Sequence, residues 1–292
     1  MFKYILMPIH FVPIHYVCVA TERKLYLPYL QSLLPELVIL GLNTRWEGFV
    51  TKYKLLRAYL STPEIKEDDL ICFIDAYDVL PTKQITNFAA NAHTFLTKHP
   101  AVKMIVGYDK VDNIFHEYLC QVIFGMVGDM RLNSGQFVGT VKNIREIVNY
   151  ILDTTTHFQT DQIELTKYTN QFKDQIHIDE EQAFFYVKSR PLQQVKLPPT
   201  STSAFIHANG NGCLEAFLTE EYGIHLHFSE RWRLLCVNIE GVLRKLVLYD
   251  LIFIKKNIIL FWDIFYRYIF YRYIYKWYAL LAVRFPSSSL SA

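Results

Sequence analysis

From the start of the chain to about residue 230, short apolar runs alternate with longer mixed stretches. Tyr16 to Ala20 (YVCVA) and Glu36 to Leu42 (ELVILGL) are compact and apolar, and both are expected to be strands. Between them, Arg23 to Leu34 has helical spacing and stops at Pro35, whose ring cannot continue a helix. Tyr53 to Leu60 predicts a second helix. Leu70 to Ile74 (LICFI) is apolar throughout, as a strand buried on both faces is. This strand-helix-strand-helix-strand succession predicts an α/β domain on a mainly parallel sheet. Further on, Thr86 to Thr97 and Val141 to Leu152 have helical periodicity, and Val102 to Val106 is a strand candidate. Asn133-Ser134-Gly135 reads as a turn leading into Gln136 to Gly139. His157 to Gln175 is polar and weakly periodic, a helix with loops or an insertion. Glu180 to Val187 predicts the start of another helix. Lys188 to Thr202 contains Pro191, Pro198 and Pro199 and is expected to be irregular.

Beyond residue 230 the pattern changes, dividing the chain into 1–230 and 231–292. Asn257 to Val283 is dense in Phe, Tyr, Trp, Ile and Leu, with Asp263, Arg267, Arg272 and Lys276 as its only charges. No run reaches the length of uncharged apolar sequence that crosses a bilayer. Charge sharpens this division. Residues 231–284 hold ten lysines and arginines against three acids, while the 292-residue chain has a net charge of only +2. An acidic body with a basic aromatic tail does not suit nucleic-acid binding, which needs a basic face on the folded domain. Residues 246–284 instead suit a membrane interface, where basic side chains snorkel, or a helical element packed on the domain or on a second copy. With 51% hydrophobic residues the chain can bury a large core. The five cysteines are scattered without a CxxC pair, which disfavours a zinc site or a disulfide framework. The N-terminus is apolar but is broken by Pro8, His10, Pro13 and His15 and has no clear cleavage site. A buried or peripheral segment is expected there rather than a secretory leader.

Four places could carry chemistry. Asp75-Ala-Tyr-Asp78 follows a buried strand directly, so both carboxylates belong at the carboxyl edge of the sheet, where α/β folds bind ligands. Two acids at this spacing can converge on a hard cation, of the kind that offsets the charge of a nucleoside diphosphate. A solvated turn, with Asp78 capping a helix, is the other reading. His207-Ala-Asn209-Gly210-Asn-Gly212 ends a short apolar run and offers a third ligand, or is simply a polar turn. Asp179-Glu-Glu181-Gln182 suits a helix N-terminus or places a carboxylate and an amide near ligand hydroxyls. Arg131-Leu-Asn133-Ser134-Gly135 is small and polar enough for a close-fitting ligand. Lys52 and Lys54 are phosphate partners or ordinary surface lysines. No dinucleotide fingerprint, P-loop, nucleophile elbow or zinc-protease motif is present.

Seven segments in order, over roughly residues 16 to 212, resemble the glycosyltransferase domain of the procollagen lysyl hydroxylase / collagen glucosyltransferase family, including its stand-alone relatives in large DNA viruses. They are Val17 to Glu22; Leu40-Gly-Leu42 with Trp46 and Glu47; Thr51-Lys-Tyr-Lys-Leu55; Phe73-Ile-Asp-Ala-Tyr-Asp-Val79; Arg131 to Gly139; Glu181-Gln-Ala-Phe-Phe-Tyr186; and His207-Ala-Asn-Gly210. The resemblance implies a GT-A type fold and transfer of glucose or galactose from UDP-glucose or UDP-galactose to an acceptor hydroxyl, such as hydroxylysine or another protein or glycan site. It implies Mn²⁺ held by Asp75, Asp78 and His207. It places Lys52, Asp75, Tyr77, Ser134, Gly135, Asn209 and Gly210 at the donor, and Asn133, Glu181 and Gln182 in the reaction. Glu181 would be a nucleophile or an orienting partner.

The chain departs from the family pattern at several points. Gly48-Phe-Val-Thr51 replaces a glycine run. Gln136 stands where the family has a second glycine. Gly107 to His116 lacks the acceptor-side Trp-Pro segment. No hydroxylase motif is found. Two other readings follow from these departures and from the tail: a UDP-sugar-binding protein without turnover, and a membrane-surface structural protein. The expected location is the cytoplasm, peripheral on a membrane or with a virion, with a homodimer as one further expectation.

Overall fold

The computed structural model describes residues 12–110, 131–188, 193–209 and 212–240. The expectations for the N-terminal eleven residues, for residues 111–116 of the acceptor-side segment, for residues 189–192 with Pro191, for Gly210 and for the aromatic segment 246–284 lie outside them. The chain divides into two compact units, Met1–Asn238 and Ile239–Ala292, and the fold described below belongs to the first.

Its elements are β1 (Ile14–Val19), α1 (Leu27–Leu33), β2 (Val38–Leu40), α2 (Val50–Leu60), β3 (Leu70–Ile74), β4 (Val79–Pro81), α3 (Phe88–Lys98), β5 (Met104–Tyr108), β6 (Leu132–Thr140), α4 (Val141–Thr154), α5 (Asp161–Gln171), β7 (Ile176–Asp179), β8 (Phe185–Val187), β9 (Phe205–His207) and α6 (Glu215–Tyr222). A last helix, α7, covers 228–238 of this unit. Six strands form one sheet in the order β2-β1-β3-β6-β5-β7. The β1–β2, β1–β3 and β5–β7 pairs are parallel, while β6 runs antiparallel to both β3 and β5. The protein is therefore α/β with a mixed sheet. A second sheet has the order β4-β9-β8.

Every residue of β3 is buried, which is why its sequence shows no polar alternation. One face of the large sheet packs Cys18, Ile74 and Val138 against Leu30 of α1, Phe88 of α3, Phe205 of β9 and Phe217 of α6. The other face packs Val17, Phe73 and Phe137 against Leu56 of α2, Val148 of α4 and Leu165 of α5. Helix α4 follows β6 directly, with Thr140 Oγ1 accepting from Asn143 N as its cap.

Two expectations are corrected. Asn133-Ser134-Gly135 is not a turn but lies inside β6, where Asn133 pairs with Gly107 of β5 and the ladder shifts register before it resumes at Phe137. The backbone there is held by other partners, Asp75 N donating to Gly135 O and Ser134 N donating to Gln162 Oε1. Glu180 to Val187 does not begin a helix. Instead Asp179 is almost fully buried, and its carboxylate accepts from the backbone N–H groups of Ala183, Phe184 and Phe185 at 2.8–2.9 Å. That clasp folds 180–184 into a tight loop, with Gln182 at φ +55°, and delivers the chain into β8. In addition, the helix expected from Arg23 starts only at Leu27, with Pro28 in its first turn.

Candidate metal and ligand site

β3 ends at Ile74, and Asp75 and Asp78 stand on the short loop between it and β4. Asp75 is fixed by its own backbone, its N–H donating to Gly135 O at 2.7 Å. Asp78 leads into β4, which pairs with β9 so that Val79 lies opposite His207, and Ala208 N donates back to Asp78 O at 2.9 Å. The large sheet thus supplies one carboxylate, and the small sheet supplies another with the imidazole. Ligand atoms of Asp75, Asp78 and His207 lie within 4.8 Å of one another, a group that could hold a metal ion.

Three observations support the fit of a divalent cation. His207 is 1% exposed, yet neither ring nitrogen makes a hydrogen bond of good geometry. Its Nε2 lies 3.3 Å from Asp78 Oδ2. Burial alone would push the imidazole pKa down, but the carboxylates of Asp78, Asp75 and Asp109 outweigh it and hold it above the ordinary value. Gly135 leaves the room this cluster needs, since a Cβ there would lie 2.5 Å from Asp75 Oδ2 and 2.6 Å from His207 Cε1. The donor set, two carboxylates and one imidazole, offers hard oxygen and borderline nitrogen ligands to a divalent cation.

Lys52, on α2, is nearly buried. Its ammonium lies 2.8 Å from Asp75 Oδ1, pairs with Asp161 Oδ2, and rests 4.8 Å from the centre of the Phe73 ring. Burial disfavours its charge, but Asp161 and Asp75 more than compensate and hold the lysine protonated, with its pKa above the usual range. Lys52 therefore engages Asp75 Oδ1 and leaves Oδ2 facing Gly135 and His207. The same Asp161 accepts from Ser134 Oγ at 3.1 Å, and Gln162 Oε1 accepts from Ser134 N at 3.0 Å.

The other expected residues are distributed as follows. Asn133 is buried, and its Oδ1 accepts from Gly135 N at 3.0 Å. Tyr77 is half-buried, and its hydroxyl donates to Glu22 O at 3.1 Å. Asn209 Nδ2 donates to Asp109 Oδ2 at 2.9 Å. Gln182 uses its amide within the loop, donating to Val187 O at 3.0 Å. Glu181 is exposed on that loop, which leaves the carboxyl end of β7 at the edge that also carries Asn133 and Gly107.

Asp161 and Asp109 are the residues that sequence reasoning missed. Asp161 lies 109 positions from Lys52, in a stretch without strong periodicity, and nothing local signals the pairing. Asp109 could have been found, because it ends the apolar strand β5 just as Asp75 ends β3.

The fold and cluster define an α/β protein with a carboxylate–imidazole group at the carboxyl edge of a mixed sheet. Residues 14–214 match the family model described as PLOD GT domain, and the chain belongs to that family. Procollagen-lysine,2-oxoglutarate 5-dioxygenase 1 of Gallus gallus is 28% identical over 123 residues, covering 39% of this chain and 16% of that protein. Among solved structures, glucosyl-3-phosphoglycerate synthase from Mycobacterium tuberculosis with Mn²⁺, UDP and glucosyl-3-phosphoglycerate covers 57% of this chain and 69% of its own, at 14% identity and a TM-score of 0.37. Another complex of that enzyme, with Mn²⁺, UDP-glucose and phosphoglyceric acid, covers 80% and 79%, at 12% identity and a TM-score of 0.36.

Proposed function

We propose that this chain is a metal-dependent glycosyltransferase of the GT-A type that moves glucose or galactose from a UDP-sugar to an acceptor hydroxyl. The observation that carries this reading is the Asp75, Asp78 and His207 cluster at the sheet edge of a PLOD GT domain protein. Asp75 through Oδ2, Asp78 and His207 would hold Mn²⁺, which when bound supplies Lewis-acid stabilisation of a diphosphate leaving group. The protein's own residues do the rest. Lys52 fixes the orientation of Asp75 and adds a positive charge beside the site. Asp161 balances that charge and ties it to Ser134. Gly135 keeps the space between the ligands open. Asp109 orients Asn209, the residue assigned to the donor phosphates. Glu181 is the exposed carboxylate available to a sugar or acceptor hydroxyl, and Gln182 shapes the loop that presents it. Hydroxylysine or another protein or glycan hydroxyl is the acceptor class that the family suggests.

The test is UDP release from a panel of UDP-hexoses, with and without Mn²⁺, together with UDP titration. Metal-dependent turnover of one donor, lost in Asp78→Ala, is the expected result. Metal-dependent UDP binding without release from any donor or acceptor would favour a binding protein, and absence of both would overturn the site assignment.

A further inference from the structure

Among the described residues, Gln136 and His207 are the two buried side chains whose polar atoms lack a hydrogen bond of good geometry. They enter the same layer of the molecule. β6 pairs Phe137 with Val106 of β5 but Asn133 with Gly107, so residues 134–136 have no counterpart on β5. On its other side Gln136 lies opposite Ile74 of β3. Ile74 and Val138 pack in one cluster with Phe185 of β8 and Phe205 of β9, between the two sheets. Directly opposed residues share a face, as do residues two apart on a strand, so Gln136 faces that layer too. His207 follows Phe205 by two on β9 and shares its face, and the Phe205 ring lies 6.0 Å from the ring of Tyr16 on β1. That face of β9 therefore looks at the large sheet. The imidazole also sits over the residue beside Gln136, since a Cβ on Gly135 would lie 2.6 Å from His207 Cε1.

A buried amide or ring N–H without a partner has lost its hydration and gained nothing in return, and native side chains rarely stay so. Here each group supplies what the other lacks. An imidazole that ligates a metal gives one nitrogen to the ion and keeps its proton on the other, and that N–H needs an acceptor. Nε2 lies 3.3 Å from Asp78 Oδ2. It is therefore the nitrogen on the side of the other ligands, and Nδ1 is the one left over. The carboxamide of Gln136 offers an acceptor oxygen. Gln136 is also a point at which the chain departs from the family pattern, so the role belongs to this chain.

We propose that Gln136 is a positioning residue for the metal centre, its carboxamide oxygen accepting the N–H of His207 Nδ1 and leaving Nε2 to the cation. The proposal rests on the metal reading of Asp75, Asp78 and His207. Holding one tautomer and one ring orientation raises cation affinity, so the amide acts on binding rather than on the fold. The test is isothermal titration of the full chain with Mn²⁺ alone, together with urea unfolding without added metal, for wild type, Gln136→Met, Gln136→Glu and Asp78→Ala. Gln136→Met keeps the length and removes the acceptor. It should weaken Mn²⁺ binding by about 10- to 100-fold, with a urea midpoint at or above that of wild type. Gln136→Glu keeps an acceptor oxygen at the same reach and should bind Mn²⁺ about tenfold more tightly than the Met variant. A merely structural role would move the urea midpoint and give no such rescue. Wild-type affinity in Gln136→Met would overturn the proposal. So would a lowered urea midpoint in that variant, which would show that the amide is already paired. Loss of binding in Asp78→Ala beside wild-type affinity in Gln136→Met would strike this proposal alone, whereas wild-type affinity in Asp78→Ala would strike the metal reading as well.

Discussion

A Cβ on Gly135 would have to displace Asp75 or His207, and the backbone cannot retreat because Gly135 O holds Asp75 N. Gly135→Ala should therefore lower Mn²⁺ affinity, measured by isothermal titration, by at least about tenfold. Its stability should stay within about 1–3 kcal/mol of wild type. Unchanged affinity would show that the cluster does not depend on this space. The neighbouring Gln136 poses a different problem. It is fully buried, and neither polar atom of its side chain has a hydrogen-bond partner. An unpaired buried amide costs about 1–3 kcal/mol. Gln136→Met, which keeps the length and removes the polar atoms, should raise urea stability by about 1–2 kcal/mol. A loss would mean that the amide does pair. At this scale the residues of the candidate cluster were visible in the sequence, but local pattern left a solvated turn at Asp75–Asp78 and a polar turn at His207 open as well, and their convergence emerges only from the β4–β9 pairing. Asp75, Asp78 and His207 each stand at the edge of an apolar run. Lys52 was legible as a charge near the site but not as one held between two carboxylates, because its second partner lies on an element far away in the chain.

At the scale of elements, local signals succeeded where one force dominated and failed where two competed. β3 was read correctly to its ends because burial on both faces leaves an uninterrupted apolar run. Helix α4 was read within two residues because its apolar positions recur at three and four. The loop after β7 was misread because Asp179-Glu-Glu181 resembles the acidic first turn of a helix. Only the structure shows that Asp179 points back at three backbone N–H groups. β7 also carries a pH-sensitive contact. The His177 ring lies 4.4 Å, centre to centre, from Phe95 of α3. Burial, helped by the nearby His99, lowers its pKa below the ordinary value of 6.5. The folded state thus prefers the neutral ring. Its contribution to stability is present above pH 6.5 and is lost as the pH falls through the lowered value. The urea midpoint should drop between pH 7 and pH 5, and His177→Phe should reduce that drop. An identical acid dependence in both proteins would place the effect elsewhere.

The molecule as a whole brings the candidate ligands together from two sheets, Asp75 from the six-stranded one and Asp78 and His207 from the three-stranded one. An ion bound there would tie the two sheets together and favour the folded state. At a hundredfold excess over its Kd, Mn²⁺ should add about 2.7 kcal/mol of stability, read as a rise of several degrees in melting temperature that Asp78→Ala lacks. A rise of equal size in both would point to binding elsewhere. This juxtaposition was only half legible. The strand-helix succession foretold an α/β sheet, but the antiparallel β6 and the separate β4-β9-β8 sheet depend on long-range pairings that no local pattern encodes. The ladder between β4 and β9 fixes Asp78 beside His207 in the folded chain itself. With a cation bound, Asp78 and His207 would form a chelate whose ring is closed by backbone hydrogen bonds, so its closure entropy would be met during folding rather than when the cation arrives. Such a fixed pair would favour cations whose size matches its spacing. Asp75, from the other sheet, and the lysine that holds it would set the third position around such a cation.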